Sequence, residues 1–291
     1  ARLLKASGCI AVAGGLEVAS DRLLKLMKKG VTVAQVARVA NAFTKAGIMA
    51  HAYLMYGFPT QTAQETVDAL EMVRQLFEND ALQSGFWHRF AMTAHSPVGL
   101  DPAVYQVQHA GPDFGGFADN DLYHEDPLGA NHDLFGEGLR KSLFNYMNGA
   151  GIDMHLSEWF ETKVPITSIP PNYIYKCLTE KDTTSIRENA TVVWLGGMPD
   201  FEFFEAKKGK ETAHMCALEF YGKQKDWQLV LKAEEADWIM ANMPKLMIGA
   251  HTPLQYGEWK KSYEAMGLND FDNFMQGKAM RQLRDNGLLI L

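Results

Sequence analysis

The sequence predicts an α/β protein in which half of a (β/α) barrel with parallel strands is followed by an α+β C-terminal extension. Two observations lead there. Over roughly the first hundred residues short apolar runs alternate with capped helical segments, the pattern of β/α units around a parallel sheet. Beyond Pro165 and Pro170-Pro171 the composition shifts to apolar runs separated by Gly- and Lys-containing turns, as in antiparallel hairpins. The organisation expected is a barrel half with a long loop over 1–130, a helical connector over 131–190 and an α+β lobe over 191–291.

The elements follow in order. Residues 9–14 read as a buried strand, with so little lead-in that the chain reads as a piece of something longer. Ser20 caps a helix that stops at Gly30. Thr32-Val33-Ala34-Gln35 spells a capping box, and Val33, Val36, Ala40 and Phe43 recur at helical spacing up to Gly47. A second strand over 48–56 closes at Gly57-Phe58-Pro59, and Thr62-Ala63-Gln64-Glu65 opens a further helix whose buried face is Val67, Leu70, Val73 and Phe77. A third strand is expected over 86–93. From 96 to 131 periodicity gives way to Gly, Pro, Asp and His, an irregular segment placed over one mouth of the sheet. Helices are expected over 134–148 and 154–160, strands over 191–195, 201–204, 215–221 and 227–231, and helices over 256–266 and 271–284, the last part resembling a winged-helix lobe. Three parallel strands cannot close a barrel, so a free sheet edge should remain.

Composition narrows the function. Across 291 residues the hydrophobic content is 47%, ample for a core, and the net charge of -7 argues against a nucleic-acid partner. No run reaches the ~18 apolar residues that span a bilayer and no signal peptide opens the chain, so no membrane partner and a cytoplasmic address are expected. Cys9, Cys177 and Cys216 stand too far apart in sequence for a C-x-x-C pair or a secreted disulfide framework.

The run from Gly8 to Gly30, with Gly15-Leu16-Glu17 and Ser20-Asp21-Arg22-Leu23-Leu24-Lys25 at its centre, resembles the fourth strand and following helix of the radical S-adenosylmethionine (SAM) superfamily, which often reads G-[IL]-E-S-x-S-D-R-V-L-K-x-M-x-K-G there. At the right distance, Gly57-Phe58-Pro59-Thr60-Gln61-Thr62 is similar to that family's fifth-strand ending, G-x-P-G-E-T. The likeness is nearest the cobalamin-binding branch. Val18-Ala19 and Thr60-Gln61 depart from the family pattern.

The resemblance implies a cofactor at the carboxyl ends of the strands. Glu17 would accept hydrogen bonds from the ribose hydroxyls or the amino group of SAM, and Ser20 and Arg22 would hold its methionyl carboxylate. Gly57 would let the backbone pass close to adenine, with Phe58 flanking it. His88 and His95 are expected to line the substrate cavity. The family's [4Fe–4S] cluster needs a C-x-x-x-C-x-x-C loop, and none exists here. The expected activity, reductive SAM cleavage to a 5′-deoxyadenosyl radical, therefore belongs to a longer parent that also supplies the barrel's N-terminal half. This chain alone is expected to bind neither cofactor appreciably and to be inactive, and a role for cobalamin is left open, as is the substrate.

Other readings compete. His88, His95, His109, His124 and His132 stand among Asp101, Asp113, Asp119, Asp121, Glu125 and Asp126, but without the H-x-x-x-H or H-E-x-x-H spacing that places two ligands on one helix face. No metal site is assigned, and a metal-dependent hydrolase ranks last. A non-catalytic module that pairs through its sheet edge with a partner or a second copy is the stronger rival.

Overall fold

A computed structural model describes residues 1–112, 120–180, 186–208, 211–222 and 225–291. The chain forms two compact units, Leu3–Lys181 and Asp182–Leu291. Asp113 and Asp119 lie outside the described residues. Among these residues no helix is long and apolar enough to cross a membrane.

The first unit is mixed α/β. After a short helix α1 (Arg2–Ala6) come β1 (Ala11–Glu17), α2 (Asp21–Leu26), α3 (Val33–Lys45), β2 (Met49–Tyr56), α4 (Ala63–Glu78) and β3 (Ser84–Arg89). The three strands pair in parallel in the order β1-β2-β3, as helical crossovers between successive strands require. The starts of α2, α3 and α4 are built locally. Ser20 Oγ accepts from the Leu23 amide, and complete capping boxes join Thr32 with Gln35 and Thr62 with Glu65.

Alternation along the strands divides the sheet into two faces. Ala50, Ala52 and Leu54 of β2 and Trp87 of β3 are buried against the helices with Val33, Ala37, Val67, Leu70 and Val73. The opposite face is open: Met49, Tyr53, Phe86 and His88 are exposed, and the His88 ring packs 4.4 Å from Phe86 and 6.0 Å from Tyr53.

Several boundaries differ from the sequence expectation. The first strand continues through Gly14-Gly15-Leu16 to Glu17, and Cys9 precedes it, half-buried. The third strand ends at Arg89, because the chain turns and Met92–Thr93 (β4) pairs antiparallel with Asp121–Leu122 in the irregular segment. The prolines near 165–171 mark no break. Asp68 on α4 accepts from Thr167 Oγ1, the Ser168 amide and Ser168 Oγ at 2.9, 2.7 and 2.6 Å, so this stretch is fastened across α4. Gln75 extends the seam, donating to the Pro170 carbonyl and accepting from the Ile174 amide. Helices over Gly136–Met147 and Tyr173–Thr179 complete the unit, while the helix expected at 154–160 is a single 3₁₀ turn, Leu156–Trp159.

The second unit has its own core. Three antiparallel strands, Asp200–Lys208, Glu211–Phe220 and Trp227–Lys232, form one sheet, and Val192–Trp194 pairs with the tail strand Leu288–Ile290. An unforeseen helix, Ala233–Leu246, starts directly after the third of these strands, with no turn residue to announce it. It brings Trp238 into a cluster with Trp259, Tyr263 and Phe271. The expected helix over 271–284 is two, Phe271–Gln276 and Lys278–Asp285, separated where Gly277 is extended.

Candidate functional site

Because β1 and β2 are parallel, Glu17 and Gly57 both leave the sheet at its carboxyl end. The β1 register slips between Gly15 and Glu17, a bulge that buries Leu16 while Glu17 takes a left-handed backbone (φ 55°). The Glu17 carboxylate folds back along the strand, and a Cβ on Gly15 would stand 2.1 Å from its Oε1. Glycine is required there for that side-chain position. Lys29 Nζ, on the turn after α2, donates to the same oxygen at 2.6 Å.

Ser20 and Arg22 sit one turn further on and are tied to the β2–α4 turn. Arg22 clasps Glu65 with Nε and Nη2 at 2.8 and 2.7 Å, and donates to Thr60 Oγ1 and the Thr60 carbonyl at 3.0 and 2.9 Å. Ser20 Oγ donates to Glu65 Oε1 at 3.1 Å. Burial works against the Glu65 charge, but the Arg22 hydrogen bonds, the Thr62 amide and the Arg22 charge outweigh it, so the carboxyl stays below its ordinary range.

The same clasp explains one departure from the family pattern. Thr60 lies in the left-handed region (φ 67°), where glycine is favoured, and is held there by Arg22 and by Asp126 Oδ2, which accepts its amide at 2.7 Å. Gln61, fully buried, accepts the Gly57 and Phe58 amides at 2.7 and 3.3 Å, while its Nε2 has no partner. A side-chain carbonyl thus fills the acceptor role that a glutamate would fill.

Gly57 (φ 80°) adopts a conformation that disfavours a side chain, and a Cβ there would stand 3.4 Å from His132 Cγ. The space beside Gly57 is therefore occupied by an imidazole. Phe58 is turned inward and packs edge-on to Phe90 and Tyr105, with 4% of its surface exposed. His88 stands on the open sheet face, whereas His95 is exposed in the turn before a short helix, Pro97–Leu100.

Gly57, a predicted site residue, and others that sequence reasoning did not select frame a polar pocket of about 190 Å³ at the carboxyl ends of β2 and β3, lined by Gly57, Arg89, His124, Asp126, Asn131 and His132 among others. His132 is 5% exposed, and its Nε2 lies 3.0 Å from the Gln61 carbonyl oxygen. A carbonyl only accepts, so Nε2 carries the proton. Burial, opposed by the Gln61 hydrogen bond and seconded by the Arg89 charge, pushes the imidazolium below its ordinary range, so Nδ1 is an acceptor, and it has no partner. Asp126 is already occupied by the amides of Thr60, Leu128 and Gly129. The sequence signal was the histidine-rich irregular segment, but nothing in its spacing singled out His132.

Among the described residues no group of three or more His, Cys, Asp or Glu could hold a metal ion. Cys177 and Cys216 are buried and Cys9 half-buried, and none of the three belongs to such a group. These thiols do not fit an iron–sulfur cluster.

No curated protein and no solved structure matches the chain. Residues 1–73 match the family model described as Radical SAM superfamily, a segment that contains Glu17, Ser20, Arg22, Gly57 and Phe58 and stops before β3 and His132. Through these 73 residues, with both strands that lead to Glu17 and Gly57, the chain carries the sequence pattern of the radical SAM superfamily.

Proposed function

We propose that this chain is part of a radical SAM enzyme and supplies the strand ends that hold the nucleoside of SAM. The observation that carries this is the common carboxyl-end position of Glu17 and Gly57 within the matched segment. The three atoms nearest a Cβ built on Gly15 all belong to the Glu17 side chain. Glu17 accepts from the ribose hydroxyls once Lys29 yields the near oxygen, and Gly57 brings its strand end up to the base. Ser20 and Arg22, engaged with Glu65 and Thr60, fix the spacing of the two turns and face the methionyl carboxylate, and Phe58 supports the turn from beneath.

When bound, a reduced [4Fe–4S] cluster supplies the electron that cleaves SAM to a 5′-deoxyadenosyl radical. Its thiolates come from outside these 291 residues, which hold Cys9, Cys177 and Cys216 but no C-x-x-x-C-x-x-C loop. Cobalamin use and the substrate follow from that parent's remaining sequence. The test is to express the complete reading frame that contains this sequence, reconstitute it with iron and sulfide, and assay 5′-deoxyadenosine under reducing conditions. SAM-dependent product that falls in Glu17→Gln supports the reading; a reconstituted cluster without product overturns it.

A second reading has one observation in its favour. Among the described residues no strand pairs with the outer side of β1, and an apolar cleft of about 430 Å³ lined by Val12, Ala13, Val31, Val39 and Phe43 runs along it. Association through this edge, with a further barrel segment or a second copy, would cover both. Light scattering across a concentration series distinguishes it, since a monomer throughout leaves self-pairing without support.

A further inference from the structure

The second unit leaves a sheet edge of its own open. Among the described residues no strand pairs with the outer side of Asp200–Lys208. Its nine residues run in unbroken register from Asp200 opposite Glu219 to Lys208 opposite Glu211, without the bulge or proline that commonly blunts an edge. The edge is aromatic: Phe201, Phe203 and Phe204 are 57, 48 and 40% exposed, and the rings of Phe201 and Phe203 lie 5.7 Å apart. By register Phe201 and Phe203 stand opposite Leu218 and Cys216, both fully buried. They therefore prolong the core face of the sheet beyond the helix Ala233–Leu246, which packs across the other two strands.

The order of charges along this strand selects what can cover it. Asp200, Glu202 and Glu205 precede Lys207, so a parallel copy in register would set acid beside acid. An antiparallel copy about a two-fold axis at Phe204 sets Phe204 opposite itself, Phe203 opposite Glu205, Glu202 opposite Ala206 and Phe201 opposite Lys207, with no like charges opposed. That axis engages all nine residues, whereas an axis at Glu205 would oppose two carboxylates. Three half-exposed phenylalanines give each copy about 300 Å² of ring surface to bury, a substantial part of the ~800 Å² per partner of a specific interface, and the backbone ladder adds to it. We propose that Asp200–Lys208 pairs antiparallel with the same strand of a second copy, joining two three-stranded sheets into one of six. This edge is separate from β1, and the pairing does not rest on the cofactor reading.

The experiment uses the 291-residue chain. Sedimentation velocity from about 1 to 300 µM is expected to show a reversible dimer, and Phe203→Glu to weaken it by about tenfold or more. Phe204→Cys in a Cys9→Ser background is expected to form an intermolecular disulfide under mild oxidation, because directly opposed residues hold their Cα atoms about 4.5–5.5 Å apart, within disulfide reach. Val230→Cys in the same background is the control, since Val230 is 47% exposed on the strand at the other edge of the sheet and should not cross-link. If Phe203→Glu does not fold, the two cysteine variants decide alone. A monomer throughout, or no more cross-link in Phe204→Cys than in Val230→Cys, overturns the proposal; a dimer that persists in the latter case is held through another surface, β1 included.

Discussion

Thr60 shows how a single position can depart from a family pattern and keep its geometry. A β-branched residue at φ 67° costs about 1–2 kcal/mol, and the bonds from Arg22 to Thr60 Oγ1 and its carbonyl offset that. Thr60→Gly relieves the backbone and forfeits the hydroxyl contact, so its change in unfolding free energy should stay within about 1 kcal/mol by chemical denaturation. A loss of several kcal/mol would show the hydroxyl to matter far more than the backbone. Glu65 predicts a pH dependence. Its folded pKa is lowered, so its contribution is complete above the unfolded value of about 4.3 and disappears as pH falls through the folded one. The stability gap between wild type and Glu65→Gln should therefore be about 1 kcal/mol near neutrality, kept small by the half-exposed Arg22, and should close in acid. A gap that persists at pH 2 would assign the effect to packing.

The seam across α4 makes a different kind of prediction, because it secures a whole stretch of chain. Asp68 accepts from Thr167, Ser168 and Gln64, and removing it leaves several donors unsatisfied beneath residues 166–170. Asp68→Ala is expected to lose about 2–4 kcal/mol and to speed amide exchange over 166–176 more than in the strands. Uniform acceleration would mean the seam is not a separate fastening. Such polar seams were not legible beforehand. The capping boxes at Thr32 and Thr62 were, since a cap is written in four consecutive residues. Asp68 finds its partners about a hundred positions away, and the prolines that fasten to α4 carry the same local signal as a boundary. The helix Ala233–Leu246 went unseen for the related reason that a strand ran into it without Gly or Pro. At the site, strand ends placed Glu17 and Gly57, but the buried acceptor on His132 depends on the Gln61 carbonyl, 71 positions distant.

The two units carry separate cores, one around Leu54, Leu70 and Leu139 and one around Trp194, Trp238 and Trp259. The second should fold alone: a polypeptide spanning 182–291 is expected to unfold cooperatively, with the near-ultraviolet signal of its clustered tryptophans intact. A non-cooperative melt would show that it depends on the first. The proposed nucleoside recognition falls in the first unit, where half of a barrel would offer half of a site, so affinity for SAM should be weak. The decisive measurement is a titration of the 291-residue chain with SAM followed by amide and carboxylate chemical shifts. Weak, unsaturated shifts confined to Leu16, Glu17, Gly57 and the neighbouring turns, lost in Glu17→Ala, are the expected result. Shifts that map to the second unit, or strand ends that stay silent at millimolar SAM, would contradict the assignment.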